Sequence, residues 1–338
     1  MKVNGTQKKV FALRMCAAAV AAAALCGFVV AAAGALAMQA GWATHWQGKA
    51  GKDFNAVYFA DSKRGWVAGD GGLVYHTQDG GRTWLPQNIK TAENVNDIYF
   101  RNKEDGYLLA ANQIFGTEDS GETWRAASRF LPTDFGGADP ELYSVRFTSK
   151  KRGWVVGSVS RRDSVVDSLV LKTTDGGISW NRQRVPTRDE LIHLDFDGDK
   201  RGWIVGGEGI ILSTRDGGET WTPQASTTKA TLYHVDFDNE KVGWVVGEAG
   251  TILRTSDGGQ TWSTVKAPVR STLLSVKFLN DDEGWIVGRG GVILRSGDGG
   301  QTWVRQESNT KQNIYALFLD KKAGWAVGGG GMVLRYER

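Results

Sequence analysis

Charged and polar side chains recur at one position of a repeated pattern, and this position has the greatest capacity for chemistry in the sequence. It lies just before a closing aromatic residue or leucine and returns at intervals of 40 to 49 residues. Acidic and basic groups that converge in one cavity can exchange protons or bind ions. The position holds, in chain order, Tyr58, Tyr99, Arg146, Asp195, Asp236, Lys277 and Leu317 or Phe318.

Two interpretations of this position are open. If consecutive repeats are neighbours in space, Arg146 faces Asp195 and Asp236 faces Lys277, and pairing explains how such charges tolerate burial. The alternative is a small-ligand or ion site, to which His193 and His234 would also contribute. We expect structural pairing.

Metal and cofactor chemistry has little support in the residue types. The chain has four histidines with no H-x-x-x-H spacing, and both cysteines, Cys16 and Cys26, precede residue 40. A structural or catalytic zinc site needs clustered histidine, cysteine or carboxylate ligands. Paired carboxylates at glycosidase separations of about 5–9.5 Å arise by chance among 37 acidic residues. We therefore predict no metal, no cofactor and no enzyme activity.

Two short motifs repeat along the chain and define the elements that position these residues. The first motif is a glycine followed by an aromatic residue, and the second is S/T-x-D-x-G-x-T/S-W. The two motifs contain twelve of the fourteen tryptophans. The first occurs at Gly65-Trp66, Gly106-Tyr107, Gly153-Trp154, Gly202-Trp203, Gly243-Trp244, Gly284-Trp285 and Gly324-Trp325; the second ends at Trp84, Trp124, Trp180, Trp221, Trp262 and Trp303.

Each repeat reads as four short strands, which is typical of a β-propeller blade. The stretch 231–237 alternates apolar and polar residues, and an Asp-Gly-Gly turn at 257–259 leads into a further strand. Seven repeats predict an all-β, seven-bladed propeller over residues 41–338. Because the seventh repeat ends within its third strand, we expect Thr44-His45-Trp46-Gln47 to supply the missing outer strand and close the ring.

The aspartate of the second motif is predicted to be structural. A carboxylate in a tight turn can accept backbone N–H bonds, and six equivalent copies argue against six active sites. The six residues are Asp79, Asp119, Asp175, Asp216, Asp257 and Asp298.

The second motif is the Asp-box, and its combination with Gly-Trp-x-Val-Gly resembles the photosystem II assembly and stability factor family. The resemblance covers residues 42–338 and implies an exported, non-catalytic propeller that helps to build a membrane complex. Sialidases also carry Asp-boxes, which leaves a glycosidase as an alternative. Their early Tyr/Phe-Arg-Ile-Pro motif is absent, because Arg129-Phe130-Leu131-Pro132 has another order.

The first 40 residues are predicted to be a signal peptide or a membrane anchor. Lys2, Lys8, Lys9 and Arg14 precede an uncharged, alanine-rich run over residues 15–38, which is long enough to span a bilayer. Ala35-Leu36-Ala37 offers a cleavage site, so both outcomes stay open, and both predict export to the periplasm or thylakoid lumen. The remaining chain has 37 basic and 37 acidic residues, and this neutral balance gives little support to nucleic-acid binding, for which a basic stripe is expected.

Two surfaces are candidates for a protein partner. On one face, the turns after the first strands carry cations that could dock an acidic protein surface or anionic headgroups, or could be merely solvated. On the opposite face the repeats lengthen at 125–142 and 158–168, and insertions on one face of a repeat protein often mark the binding surface. The first surface contains Lys63, Arg64, Lys150, Lys151, Arg152, Lys200, Arg201, Lys321 and Lys322; the second contains Arg125, Arg129, Phe130, Arg161 and Arg162.

The sequence therefore predicts a scaffold that binds a membrane-protein client or complex subunit. An accessory propeller of an envelope transporter or surface complex is the second binding hypothesis, and a sialidase-like glycosidase is the third.

Overall fold

The computed structural model describes residues 41–337, which form 28 β-strands in seven four-stranded sheets. The predicted leader, with its apolar run 15–38, lies outside the described residues. Within residues 41–337, no helix is long and apolar enough to cross a membrane.

The strands follow one another as seven antiparallel meanders around a central channel. The closing strand and blades one to three are β1 (Gly41–Gln47); β2 (Phe54–Phe59), β3 (Gly65–Gly69), β4 (Leu73–Thr77), β5 (Leu85–Asn88); β6 (Val95–Phe100), β7 (Gly106–Ala110), β8 (Gln113–Thr117), β9 (Arg125–Arg129); β10 (Asp139–Phe147), β11 (Gly153–Arg161), β12 (Ser164–Thr173) and β13 (Asn181–Arg182). Blades four to seven are β14 (Leu191–Asp197), β15 (Arg201–Gly206), β16 (Ile211–Thr214), β17 (Thr222–Gln224); β18 (Leu232–Phe237), β19 (Gly243–Gly247), β20 (Ile252–Thr255), β21 (Ser263–Thr264); β22 (Leu273–Phe278), β23 (Gly284–Gly288), β24 (Val292–Ser296), β25 (Val304–Gln306); and β26 (Ile314–Leu319), β27 (Ala323–Gly328), β28 (Met332–Glu337).

The second strand of each blade forms the core between neighbouring blades. All five residues of β19 are buried, since this strand is covered by adjacent blades on both faces. Trp203 of blade four stacks on Phe237 of blade five with ring centroids 3.4 Å apart, and its indole Nε1 donates to the Gly258 carbonyl at 3.1 Å. The Gly-Trp motif therefore joins blade four to blade five through stacking and a buried hydrogen bond, and Trp244 joins blade five to blade six in the same way.

The ring is closed by its own N-terminal strand, as predicted. β1 pairs antiparallel with β28, with Trp42 opposite Tyr336. Trp42 is only 2% exposed and packs edge-on against Trp285, with centroids 5.6 Å apart. The closing strand thus contributes a core side chain as well as backbone pairing, and the prediction of seven blades is confirmed.

Candidate functional site

The inner strands enclose a channel cavity of about 510 Å³ with two chemically different walls. Blades seven, one and two provide aromatic rings, where the Tyr58 ring centroid lies 5.9 Å from that of Tyr99 and 5.6 Å from that of Phe318. Blades two to six provide charged groups, and blades four and five also provide one histidine each. Phe318, and not Leu317, holds the repeated position of blade seven, because it pairs with Trp325 as Tyr58 pairs with Trp66.

Side chains of the inner strands connect each blade to the next around the channel. Tyr58 donates its hydroxyl to the Phe100 carbonyl at 2.9 Å, and Tyr99 donates to the Phe147 carbonyl at 3.1 Å. Asp195 accepts the Phe237 backbone N–H at 2.9 Å. These bonds satisfy main-chain groups on the inner edge of a sheet that has no further strand to pair with.

The ion pairs in the channel differ in part from the sequence prediction. Lys277 Nζ lies 2.5 Å from Asp236 Oδ1, so this predicted pair forms. Arg146 does not pair with Asp195; its Nη1 lies 2.8 Å from Asp97 Oδ2 on the preceding blade. Asp97 also accepts the Val145 backbone N–H at 2.9 Å, which orients it toward blade three.

Sequence reasoning missed Asp97 because it lies two residues before the repeated position. Side chains two apart on a strand share a face, so Asp97 and Tyr99 both point toward the channel side. The available signal was this period-two relation, which also places His193 two residues before Asp195.

The histidines of the channel are held neutral. Burial lowers the pKa of His193 and of His234 well below the usual range, and the charges of Arg146 and Lys277 lower both further. Arg146 Nη2 donates to His193 Nε2 at 2.9 Å, which requires an unprotonated nitrogen there. The two imidazole rings stack with centroids 3.7 Å apart.

Asp195 is the channel group whose charge is least favoured. Burial raises its pKa to about 6, and repulsion from the Asp236 carboxylate adds to the increase against the attraction of Lys277 and Arg146. The carboxylates of Asp97, Asp195 and Asp236 each accept a backbone N–H of the following blade. The charged wall therefore contributes to the joints between blades, and no group of three potential metal ligands occurs among residues 41–337.

Each Asp-box aspartate closes its own turn, and blade five shows the arrangement. Asp257 accepts the Thr255 hydroxyl at 2.8 Å, the Thr261 N–H at 2.9 Å and the Thr261 hydroxyl at 2.6 Å. The Thr261 hydrogen bonds hold the pKa of Asp257 at about 2. Gly258 has φ of +74°, and a Cβ there would lie 2.7 Å from the Glu240 carbonyl oxygen, so glycine is required.

The insertions predicted from the repeat spacing meet on one surface, which we call the blade-three lobe (residues 130–138 and 159–167). Strands β10, β11 and β12 reach nine, nine and ten residues and extend beyond the other blades. Arg161 Nη2 donates to the Gly136 carbonyl at 2.9 Å, joining the two insertions. Leu131, Val165 and Val166 are exposed there at 45%, 41% and 41%. The lobe thus combines exposed apolar side chains with Arg161 and Arg162.

Two predicted partner-binding residues lie elsewhere than expected. Residues 125–129 form the outer strand β9. Arg125 pairs with Gly116 at the end of this strand that is next to the Asp-box turn, whereas Arg129 lies at the other end, next to the lobe. Arg125 therefore belongs to the other face. The Phe130 side chain packs partly into the core beside the lobe, so it is not a free contact group.

The predicted basic face is not basic as a whole. Its lysines are exposed, but its arginines bind neighbouring turns: Arg152 reaches Asp199 of blade four at 3.3 Å and Arg201 reaches Glu240 of blade five at 3.2 Å. The turns of this face are those that follow the first and the third strand of a blade. Together with Arg201, they contain 19 carboxylates and 14 basic side chains. These contacts favour a stabilising role, and docking of an acidic surface at Lys63, Arg64, Lys150, Lys151, Lys200, Lys321 and Lys322 stays a prediction.

The fold and the Asp-box turns define the class as a seven-bladed Asp-box propeller. The family model described as photosynthesis system II assembly factor YCF48 matches residues 84–182, 136–225, 221–312 and 272–337. These overlapping matches cover most of the chain, which belongs to this family.

Individual relatives match over shorter stretches. The chain is 27% identical over 106 residues to the photosystem II assembly lipoprotein Ycf48 of Synechococcus, and 29% identical over 115 residues to the chloroplastic stability/assembly factor HCF136 of Oryza sativa. Each alignment covers 31% of this chain, and they span 28% and 24% of the respective relative.

Solved structures share the fold over nearly the whole propeller. YCF48 bound to a D1 peptide has a TM-score of 0.71 at 21% identity, covering 88% of this chain and 95% of that one. A virginiamycin B lyase of Staphylococcus aureus has a TM-score of 0.73 at 12% identity, covering 88% and 99%. The fold is thus shared by assembly factors and enzymes, and fold alone does not assign an activity.

Proposed function

We propose that this chain is an exported, non-catalytic propeller that assists the assembly or stability of a membrane-protein complex. Membership of the YCF48 family supports this proposal, because the matched relatives are named as photosystem II assembly or stability factors. YCF48 has been solved with a D1 peptide, so the client we propose is a membrane-protein subunit or an exposed segment of one. The apolar run 15–38 behind Lys2, Lys8 and Lys9 supports export.

The observation that carries the proposal is the blade-three lobe. It interrupts an otherwise regular ring, and three of its apolar side chains are exposed beside two arginines. Clustered apolar contacts flanked by arginine are typical of protein–protein interfaces. Arg162 and Asp163 form the two-residue turn of the β11–β12 hairpin, with φ of +50° and +61°, and this turn places Arg161 and Arg162 at the tip of the lobe.

The channel supports a structural role more than a glycosidase role. A glycosidase needs one carboxylate free to donate a proton and another free to act as base or nucleophile. Here Asp97 binds Arg146 and Asp236 binds Lys277, and Asp195 accepts the Phe237 N–H. Turnover of fluorogenic sialosides or glucosides by the purified protein would contradict the proposal.

The lobe can be tested by charge reversal. We expect Arg161→Glu/Arg162→Glu to lose capture of membrane-protein subunits from detergent-solubilised membranes of the source organism, measured by affinity purification and quantitative mass spectrometry. Lys266→Glu/Arg270→Glu makes the same charge change at exposed residues between strands β21 and β22, outside both candidate surfaces, and is the matched control. We expect this control to capture the same subunits as the wild type.

The identity of the captured protein separates the two binding hypotheses. Recovery of reaction-centre subunits such as D1 supports a photosystem II role, whereas recovery of a transporter supports an accessory role in the envelope. If both charge-reversal variants capture the same subunits as the wild type, the lobe is not the client site. If no membrane protein is enriched over a propeller-free control, the proposed function is wrong.

A further inference from the structure

The outer end of each joint between blades has a position for one side chain beside the aromatic ring of the repeated Gly-aromatic motif. This residue of the third strand pairs across the sheet with the aromatic residue of the second strand, so both lie on the same face. Arg295 Cζ lies 5.4 Å from the Trp285 ring centroid, and Arg335 Cζ lies 5.1 Å from that of Trp325. The residues at this position are His76, Gly116, Lys172, Ser213, Arg254, Arg295 and Arg335.

Blade two alone has no side chain at this position. Gly116 pairs with Tyr107 in strands β8 and β7, whereas five of the other blades place a basic residue or histidine there. Blade four has Ser213, but Gln224 donates to its hydroxyl at 2.9 Å and covers the site. Beside Gly116 there is a groove of about 560 Å³ that we call the blade two–three groove; its lining includes Tyr107, Gly116, Glu118, Asp119, Arg125 and Ile178.

Neither space nor backbone conformation requires a glycine at position 116. A Cβ built there has as its nearest neighbours the Ala127 Cβ at 3.9 Å and the Gly106 carbonyl oxygen at 4.0 Å, which are ordinary contacts. Gly116 lies within the regular strand β8 and has no positive φ. Glycine in a strand interior weakens the strand, so the open groove comes without a local structural benefit.

The opposite side of the groove has changed as well. In the next joint, Lys172 Nζ lies 2.5 Å from Glu219 of the following Asp-box. The equivalent of Glu219 at the blade two–three groove is Ile178, which is 81% exposed. This joint therefore lacks both the cation and the carboxylate that pair in the next joint, and it presents an uncovered apolar side chain instead.

The groove favours a positively charged occupant. Asp105, Glu118 and Asp119 line it. Burial is the main cause that raises the pKa of Tyr107 to about 12; the charge of Arg101 lowers the pKa, and the charges of Asp105, Glu118 and Asp175 raise it. Arg101 does not fill the site. The Tyr107 and Phe147 rings are stacked with centroids 4.2 Å apart, and Arg101 Cζ is 5.8 Å from each centroid, so it does not lie over the face of either ring. It thus lies at the edge of this ring stack, bonded to Asp105 at 2.9 Å.

We propose that the blade two–three groove binds an arginine side chain presented by a protein partner. The guanidinium would occupy, against Tyr107, the site that Arg295 and Arg335 fill from within the chain in blades six and seven. Its methylene stem would pack on Ile178, and Glu118 would supply the counter-charge. This surface lies away from the blade-three lobe, so the inference stands independently of the proposed client site.

The test measures binding of a minimal probe by NMR. N-acetyl-arginine amide is titrated into the purified, isotope-labelled exported protein, and the amide signals of Gly116 and Gly177 and the ring signals of Tyr107 are followed. N-acetyl-citrulline amide is the matched probe, since it has nearly the same shape without the charge. We expect saturable shifts at these three residues with the arginine probe and about tenfold weaker binding of the citrulline probe.

Variants at one position separate binding from folding. Gly116→Ala adds only a methyl group and should retain binding, whereas Gly116→Arg should fill the groove from within the chain and abolish it. Arg125→Ala should strengthen binding, because Arg125 is a like charge at the groove with no ion pair among the described residues. Unchanged signals outside the groove verify that each variant is folded.

Three results would overturn the proposal. The first is the absence of saturable shifts at the groove, and the second is equal binding of the arginine and citrulline probes. The third is wild-type binding by folded Gly116→Arg. If Ile178→Ser leaves binding of the arginine probe unchanged, the proposed contact with the methylene stem is wrong.

Discussion

The substitution Asp195→Asn should stabilise the propeller at neutral pH and leave it unchanged in acid. The folded state holds the pKa of Asp195 at about 6, against a usual value of 3.8, because burial and Asp236 disfavour its charge more than Lys277 and Arg146 favour it. The folded chain therefore binds more protons than the unfolded chain between about pH 4 and pH 6. Over that interval the free energy of unfolding of the wild type falls as the pH rises.

The magnitude follows from the difference between the two pKa values. About two pKa units correspond to a cost of at most about 3 kcal/mol at pH 7.5. Asparagine has nearly the same size, and its side-chain oxygen can still accept the Phe237 N–H. Removing the cost should raise Tm by at most about 5 °C for a domain of this size.

Thermal unfolding of wild type and Asp195→Asn, followed by circular dichroism at several pH values from 4 to 7.5, measures this effect. Asp236→Asn is the matched control in the neighbouring blade: it breaks the pair with Lys277, whose side chain is 42% exposed, and should lower stability by about 1–3 kcal/mol. If Asp195→Asn lowers Tm at pH 7.5, or raises Tm by the same amount at pH 4 and pH 7.5, the charge of Asp195 does not destabilise the folded state.

Three further predictions concern the scaffold. Asp257→Ala should lower the free energy of unfolding by about 1–2 kcal/mol, because it removes three hydrogen bonds of an exposed turn. Urea unfolding measures this change, and Thr264→Ala in the neighbouring strand is the control that should have little effect. The Asp-box carboxylates have pKa values lowered in the folded state, to about 2 in blade five, so stability should be lost as the pH falls from about 4 to 2; a flat profile of urea midpoints would contradict this. Trp42→Ala should cost about 3–5 kcal/mol, because Trp42 is 2% exposed in the closing joint; an unchanged unfolding midpoint would show that ring closure does not depend on this contact.

The channel shows where sequence reasoning succeeded and where it failed. Asp236 and Lys277 occupy the same repeated position in adjacent blades, and the pair predicted from that relation forms. The same relation failed for Arg146, because Asp97 lies two residues off the repeated position and is within reach across the curved channel. A long side chain selects its partner by distance and direction in space, which a repeat position does not specify.

The candidate surfaces show the same division. Unequal repeat spacing located the insertions, but only the strand register showed that Arg125 lies at the opposite end of β9 from Arg129. Counting lysines and arginines indicated a basic face, whereas the folded turns contain more carboxylates than cations. Gly116 alone did not indicate an open groove, because the groove becomes apparent only when this glycine is compared with the side chains at the equivalent positions of the other blades.

The sequence by itself determined the number of blades, the four strands of each and the closure of the ring by residues before the first repeat. These properties follow from local periodicity, turn chemistry and the count of a motif, and each is encoded within about 40 residues. Tertiary structure decided which charges pair, which cations remain available and which joint between blades is open. Those properties depend on distances between residues 40 or more positions apart, and such distances exist only once the seven blades have closed into a ring.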